Sequence, residues 1–212
     1  MRWTAVVPLK GAAERKSRLA PALDAVHRRE LSDQLYCHVV RSIAASRLAD
    51  EIIAVSPALP DAGVPVRLWV QQESSLNAEL ERIRAVIAAP LMVVNADLPL
   101  LEAADLVSLA DAARQHGCAV APDRHGTGTN AVALLPDAPF RFAFGPGSLA
   151  LHLKSAQGRA QSVERPGLAC DVDTLADIEA VLTLGRQLPP DVSRLLRATE
   201  DKGVRAALAA GD

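Results

Sequence analysis

The chain has 212 residues, half of them hydrophobic, and sets 23 Lys and Arg against 25 Asp and Glu for a formal charge of −2. That length suggests one domain with a sizeable core. The near-neutral charge, with no stripe of interleaved basic and aromatic residues, argues against a nucleic-acid partner.

In chain order, residues 4–7 read as a first strand, followed by a polar loop over 10–21. Leu31, Leu35, Val39 and Ile43 recur every fourth residue, a core stripe on a helix over about 25–47. Residues 52–55 and 66–70 are strands, and Leu76, Leu80, Ile83 and Ile87 form a second helical stripe. A strand over 91–94 precedes a helix over 102–116, with Gly117 at its C′ position. Strands over 119–121 and 131–135 flank a loop of glycines and threonines. Residues 148–157 form a helix with Ser148 as N-cap, ended by Gly158. Short extended pieces follow at 162–164 and 170–172. Thr174-x-x-Asp177 is a capping box that opens a helix through Leu184. A terminal helix follows Pro189-Pro190, with Val192, Leu195, Leu196 and Val204 as its apolar positions. The alternation predicts an α/β fold of three layers with a mostly parallel sheet flanked by helices. Residues 1–188 would form the domain, and 189–212 a helical extension of it. In such open sheets ligands bind beyond the carboxyl ends of the strands.

With only three Phe, two Trp and one Tyr, the core must be built from Ala, Val, Leu and Ile, which suits a mostly parallel sheet. Cys37, Cys118 and Cys170 stand far apart without a C-x-x-C pair, which is neither a zinc pattern nor a disulfide framework. Residues 4–9 are too short an apolar run for a signal peptide, and no stretch approaches the roughly 20 apolar residues of a membrane span. The expectation is a soluble, cytoplasmic protein.

The segments just after strands carry the chemistry. The first strand empties into Leu9-Lys10-Gly11, followed by Lys16-Ser17-Arg18. A glycine there lets backbone amides approach phosphate oxygens, and the cations add positive charge. The spacing is neither a Walker A loop nor a dinucleotide G-x-G-x-x-G, and the same residues would serve as a solvated basic loop. Asn95-Ala96-Asp97-Leu98-Pro99 puts a carboxylate at the sheet edge, where it is either a magnesium ligand or a turn cap. Asp171 and Asp173 fall on one face of an extended segment. Two like charges so placed repel, and a bound cation removes that cost. Asp123-Arg124-His125-Gly126-Thr127-Gly128-Thr129-Asn130 and Phe144-Gly145-Pro146-Gly147-Ser148 are amide-rich loops suited to an anion. His125 reads as a loop residue, and His27, His38, His116 and His152 as surface or core residues.

Over nearly its whole length up to about Leu184, the chain resembles the CofC/FbiD family of guanylyltransferases in biosynthesis of the deazaflavin coenzyme F-420. The resemblance rests on Val7-Pro8-Leu9-Lys10-Gly11 with Lys16-Ser17-Arg18-Leu19, on the Asn95–Pro99, Asp123–Asn130 and Phe144–Ser148 segments, and on Pro166-Gly167-Leu168-Ala169 with Asp171-Val172-Asp173-Thr174. It implies a MobA-like nucleotidyltransferase fold, a Rossmann-like sheet flanked by helices. It also implies transfer of GMP from GTP to 2-phospho-L-lactate, phosphoenolpyruvate or 3-phospho-D-glycerate, with release of pyrophosphate.

By matched motif, Asp97, Asp171 and Asp173 would hold Mg2+, with Lys16 counted among the catalytic groups. Pro8, Lys10, Gly11, Lys16 and Asn77 would line the nucleotide, and Thr129, Gly145 and Ser148 the acceptor. Ser75-Leu76-Asn77-Ala78 stands where the family usually reads Gly-Leu-Asn-Ala. The terminal helix lies outside the matched part and is a candidate packing or dimer element. Two rival readings remain open: a MobA-like enzyme acting on molybdopterin, and a nucleotide-binding regulatory protein.

Overall fold

Seven short strands lie side by side in one sheet, in the order β3-β2-β1-β4-β6-β5-β7. The structure is a computed structural model and describes residues 2–9, 11, 16–184 and 188–209. The strands are β1 (Trp3–Pro8), β2 (Ala49–Val55), β3 (Arg67–Trp69), β4 (Leu91–Val94), β5 (Cys118–Pro122), β6 (Thr129–Leu134) and β7 (Ala160–Ser162). The helices are α1 (Ala25–Ser46), α2 (Leu76–Val86), α3 (Ala103–His116), α4 (Ser148–Ser155), α5 (Pro166–Ala169), α6 (Leu175–Thr183) and α7 (Pro190–Ala209).

Alternate residues of each strand feed opposite faces, because side chains on a strand repeat every second residue. Ala5, Val7, Met92 and Val94 face one layer together with α1 and α3. Val6, Leu91 and Val93 face the other with Leu80 and Ile83 of α2. On the first face β5 and β6 present only Ala119, Ala121, Ala131 and Ala133. Such small side chains let α3 lie close to the sheet. A third cluster, built from Leu31, Leu35, Val172, Ile178, Val181, Val192, Leu195 and Leu196, joins α1, α6 and α7. Val204, expected on the same helix, falls outside the described side chains.

The sheet is mostly parallel, as expected, with β6 alone reversed. It pairs antiparallel with β4 and with β5, while β1, β2, β3, β4, β5 and β7 run one way. Reversal brings the first residues of β6 to the edge where β4 ends, and the Asn95 amide there donates to the Asn130 carbonyl.

Three local expectations are corrected. The piece expected at 162–164 pairs instead as β7 over Ala160–Ser162. Residues 170–172 are not a strand but follow the single turn of α5, where Pro166 opens a helix without needing its missing N–H. Ser148 is not an N-cap: Gly147 takes that place at φ 70, and Ser148 is the first, buried residue of α4. A left-handed N-cap suits glycine, which lacks the Cβ that would clash there.

Candidate active site

The three aspartates meet at the carboxyl edge of the sheet. Asp97 lies in the turn after β4, and its carbonyl accepts a hydrogen bond from the Val172 amide at 3.1 Å. That bond draws the 171–173 segment alongside Asp97. The Lys16 ammonium sits between them, donating to Asp97 Oδ2 at 2.6 Å and to Asp173 Oδ1 at 3.1 Å. Its side chain is only 6% exposed. Burial opposes the ammonium's charge, but the carboxylates of Asp97 and Asp173 outweigh it and raise the Lys16 pKa. Lys16 reaches them from left-handed backbone, φ 50 and ψ 40, a conformation that costs a non-glycine residue about 1 kcal/mol.

Asp171 is held differently. The Asn130 side-chain amide donates to Asp171 Oδ1 and to the Ala169 carbonyl, each at 3.1 Å. Asn95 in turn donates to Asn130 Oδ1 at 3.2 Å. Burial, and then the charge of Asp97, push the Asp171 carboxyl up to about 6. Asp97 Oδ1 is buried and has no hydrogen-bond partner. An unpaired buried carboxylate oxygen and a second carboxyl resisting ionisation are costs that a cation would relieve. Among the described residues no group of three or more His, Cys, Asp or Glu is placed to hold a metal ion. Any cation here would need further oxygens from its ligand, the usual situation for magnesium between carboxylates and phosphates.

Behind Asp173 stands Asp177. Its Oδ2 accepts from the backbone amides of Asp173 and Thr174, and its Oδ1 from Arg124 Nη2 at 2.6 Å. Arg124 thereby ties the Asp123–Asn130 loop to the Asp171–Asp173 segment. The interior of that loop is already occupied by an anion of its own. The Thr127 amide donates to Asp123 Oδ1 at 2.9 Å, and a side chain at Gly128 would collide with Asp123 Oδ2. The loop is therefore not the open amide cradle expected from its composition, and it delivers Thr129 and Asn130 to the site instead.

Of the residues assigned to the nucleotide, Pro8 ends β1 and Gly11 lies near the Pro57 ring, while Lys10 is outside the described residues. Asn77 spends its amide on the polypeptide: Nδ2 donates to the Phe144 carbonyl and Oδ1 accepts the Phe144 amide. It clasps α2 to the Phe144–Ser148 loop beside a cleft of about 380 Å3 that also includes Glu81, Arg141 and Phe142. None of the three aspartates lines that cleft. Ser75, in place of the expected glycine, is extended at φ −140 and accepts the Ala78 amide as N-cap of α2. Nothing in that backbone calls for a glycine.

Of the residues expected to hold the acceptor, Thr129 and Ser148 are buried and Gly145 is exposed at φ 133, a value that strains any side chain. Ser148 donates its amide to the Gly145 carbonyl, and Leu149 donates to Thr127, which joins the two loops. Sequence reasoning passed over Asn95, Arg124, Asp177 and His152 as working residues. His152 is fully buried beside Thr129.

The mostly parallel sheet, with carboxylates and a lysine gathered at its carboxyl edge, has the nucleotidyltransferase fold. The chain is similar in fold to a Desulfovibrio desulfuricans G20 protein described as a nucleotide-diphospho-sugar transferase, with a TM-score of 0.71 and 15% identity over 97% of this chain and 99% of that one. Residues 3–188 match the guanylyl transferase CofC-like family, and the chain belongs to it. It is 39% identical to the phosphoenolpyruvate guanylyltransferase of Rubrobacter xylanophilus, over 82% of this chain and 90% of the relative. It is 37% identical to the enzyme of that name from Sphaerobacter thermophilus, over 84% and 92%.

Proposed function

We propose that this chain transfers GMP from GTP to the phosphate of a three-carbon phosphorylated acid, with phosphoenolpyruvate as the first candidate, in biosynthesis of coenzyme F-420. The observation that carries this reading is the convergence of Lys16, Asp97, Asp171 and Asp173 at the strand edge. The names of the Rubrobacter and Sphaerobacter relatives favour phosphoenolpyruvate over 2-phospho-L-lactate and 3-phospho-D-glycerate.

In this reaction an oxygen of the acceptor phosphate forms a bond to the α-phosphorus of GTP. The bond from that phosphorus to the α,β-bridging oxygen breaks, and pyrophosphate leaves. Both groups are already ionised, so no general base is required, and catalysis is positioning plus electrostatics. Asp97, Asp171 and Asp173 would hold Mg2+ together with phosphate oxygens, and the bound ion would supply positive charge to the transferring and departing groups. Lys16 is a buried cation at that point. It pairs with Asp97 and Asp173 and would meet phosphate oxygens brought to the same edge. Asn130 holds Asp171, and Asp177 holds the backbone of Asp173, so each carboxylate meets its ligand from a fixed position.

Thr129, Gly145 and Ser148 would hold the acceptor, and Pro8, Lys10, Gly11 and Asn77 the nucleotide. Cys37, Cys118 and Cys170 are each buried, and a cytoplasmic location belongs to the proposal. No helix among the described residues is long and apolar enough to cross a membrane.

The test is incubation with GTP, Mg2+ and each of the three acids in turn, scoring pyrophosphate and the mass of the product. Guanylylated phosphoenolpyruvate is the expected product. Transfer to molybdopterin with none to the three acids would overturn the reading.

A further inference from the structure

His152 is the one histidine with no exposed surface, and its two ring nitrogens have different partners. The Ala143 amide donates to Nε2 at 2.9 Å, and Nδ1 lies 2.9 Å from Thr129 Oγ1. A backbone amide can only donate, so Nε2 carries no hydrogen and the proton of a neutral ring sits on Nδ1. Burial pushes the ring's pKa down to about 4, which keeps it neutral at physiological pH. Phe140 stacks on it with centroids 5.0 Å apart, and Phe144 meets it edge-on at 4.9 Å. These two rings fix the plane of the imidazole, and its hydrogen bonds to Ala143 and Thr129 set which nitrogen faces which partner.

We infer that His152 is a positioning residue that fixes Thr129 as a hydrogen-bond donor to the acceptor's anionic oxygen, an inference that rests on the acceptor assignment above. A hydroxyl normally rotates to suit whatever neighbour it has. With Nδ1–H donating to its oxygen, the Thr129 hydrogen cannot turn toward His152 and must be given in another direction. Thr129 opens β6 next to Asn130, whose amide grips Asp171. A hydroxyl committed to donating beside the carboxylates recognises an oxyanion and disfavours a neutral hydroxyl group that has its own hydrogen to place. The same ring also ties Ala143, in the segment before the Phe144–Ser148 loop, to β6. The bland alternative is that His152 merely anchors that segment.

Two substitutions separate the roles. The side-chain amide of Asn falls where Nδ1 stands and can still donate to Thr129. That of Gln falls where Nε2 stands and can still accept from Ala143. His152→Gln is expected to raise the acceptor KM at least about 10-fold while the GTP KM stays within about twofold, and His152→Asn to stay within about threefold of the parent on both. Equal effects, no effect, or a larger loss in His152→Asn would overturn the inference in favour of an anchor. Nitrogen-15 NMR of the labelled chain at pH 7 should find the Nδ1-protonated tautomer, and the Nε2-protonated form would overturn the inference without any turnover. A parent protein that shows the Nδ1–H tautomer but transfers no GMP would instead count against the acceptor assignment alone.

Discussion

Lys16 and Asn130 show how this chain stabilises carboxylates that it gathers at the sheet edge. Lys16 meets two of them with a buried charge, and Asn130 meets the third with a neutral amide. The Asp171 carboxyl is pushed upward, to about 6, by burial and by the charge of Asp97. Removing the amide takes away a donor that favours the ionised form, so Asn130→Ala should raise the Asp171 pKa further. The variant is expected to lose about 1–3 kcal/mol in urea unfolding, because the Asp171 and Ala169 oxygens lose a buried donor. On the proposed role of Asp171 in holding Mg2+, it should also lose roughly 10- to 100-fold in kcat/KM, as residues that orient a metal ligand do. Parent-like stability and turnover would show that Asn130 holds nothing of consequence.

The reversal of β6 is the feature of the sheet on which the site most depends. Six residues, 123–128, link β5 to β6, too few for the crossover that a parallel pair requires. The antiparallel pairing with β5 was therefore implicit in the spacing, whereas the pairing of β6 with β4, which brings Thr129 and Asn130 beside Asn95, was not. At the other end of the chain, α7 buries Leu196 against α1 and α6. Leu196→Ala should cost about 2–5 kcal/mol, the range for emptying a packed leucine site. Fluorescence and circular dichroism should follow one shared transition in urea, since α1 and α7 contribute to one cluster. A separate early transition for the last helix would show that α7 is an independent appendage.

The molecule as a whole divides into parts that were legible in the sequence and parts that were not. Helix and strand positions followed from periodicity, as with Leu31, Leu35, Val39 and Ile43, because packing on a sheet demands that repeat. The location of Asp97 at the sheet edge followed from its place after a strand, whereas Asp171 and Asp173, read as one face of an extended piece, lie in the connection between α5 and α6. Hydrogen bonds between residues far apart in sequence were not legible, such as Asn130 to Asp171 and Arg124 to Asp177. No local pattern encodes them, and Asp123, which fills its own loop, looked like one more polar residue there. His152 had a signal that went unread: all three phenylalanines of the chain stand at alternate positions 140, 142 and 144. Two of them enclose its ring.

The claim that these carboxylates carry out GMP transfer is tested most directly by comparing Asp97→Ala with the parent chain in a pyrophosphate-release assay containing GTP, Mg2+ and phosphoenolpyruvate. Both proteins should first be shown to be folded by circular dichroism. Loss of one of the carboxylates proposed to hold Mg2+ is expected to lower turnover by about 1,000-fold or more, several kcal/mol of barrier. A folded Asp97→Ala variant that releases pyrophosphate at close to the parent rate would contradict the account.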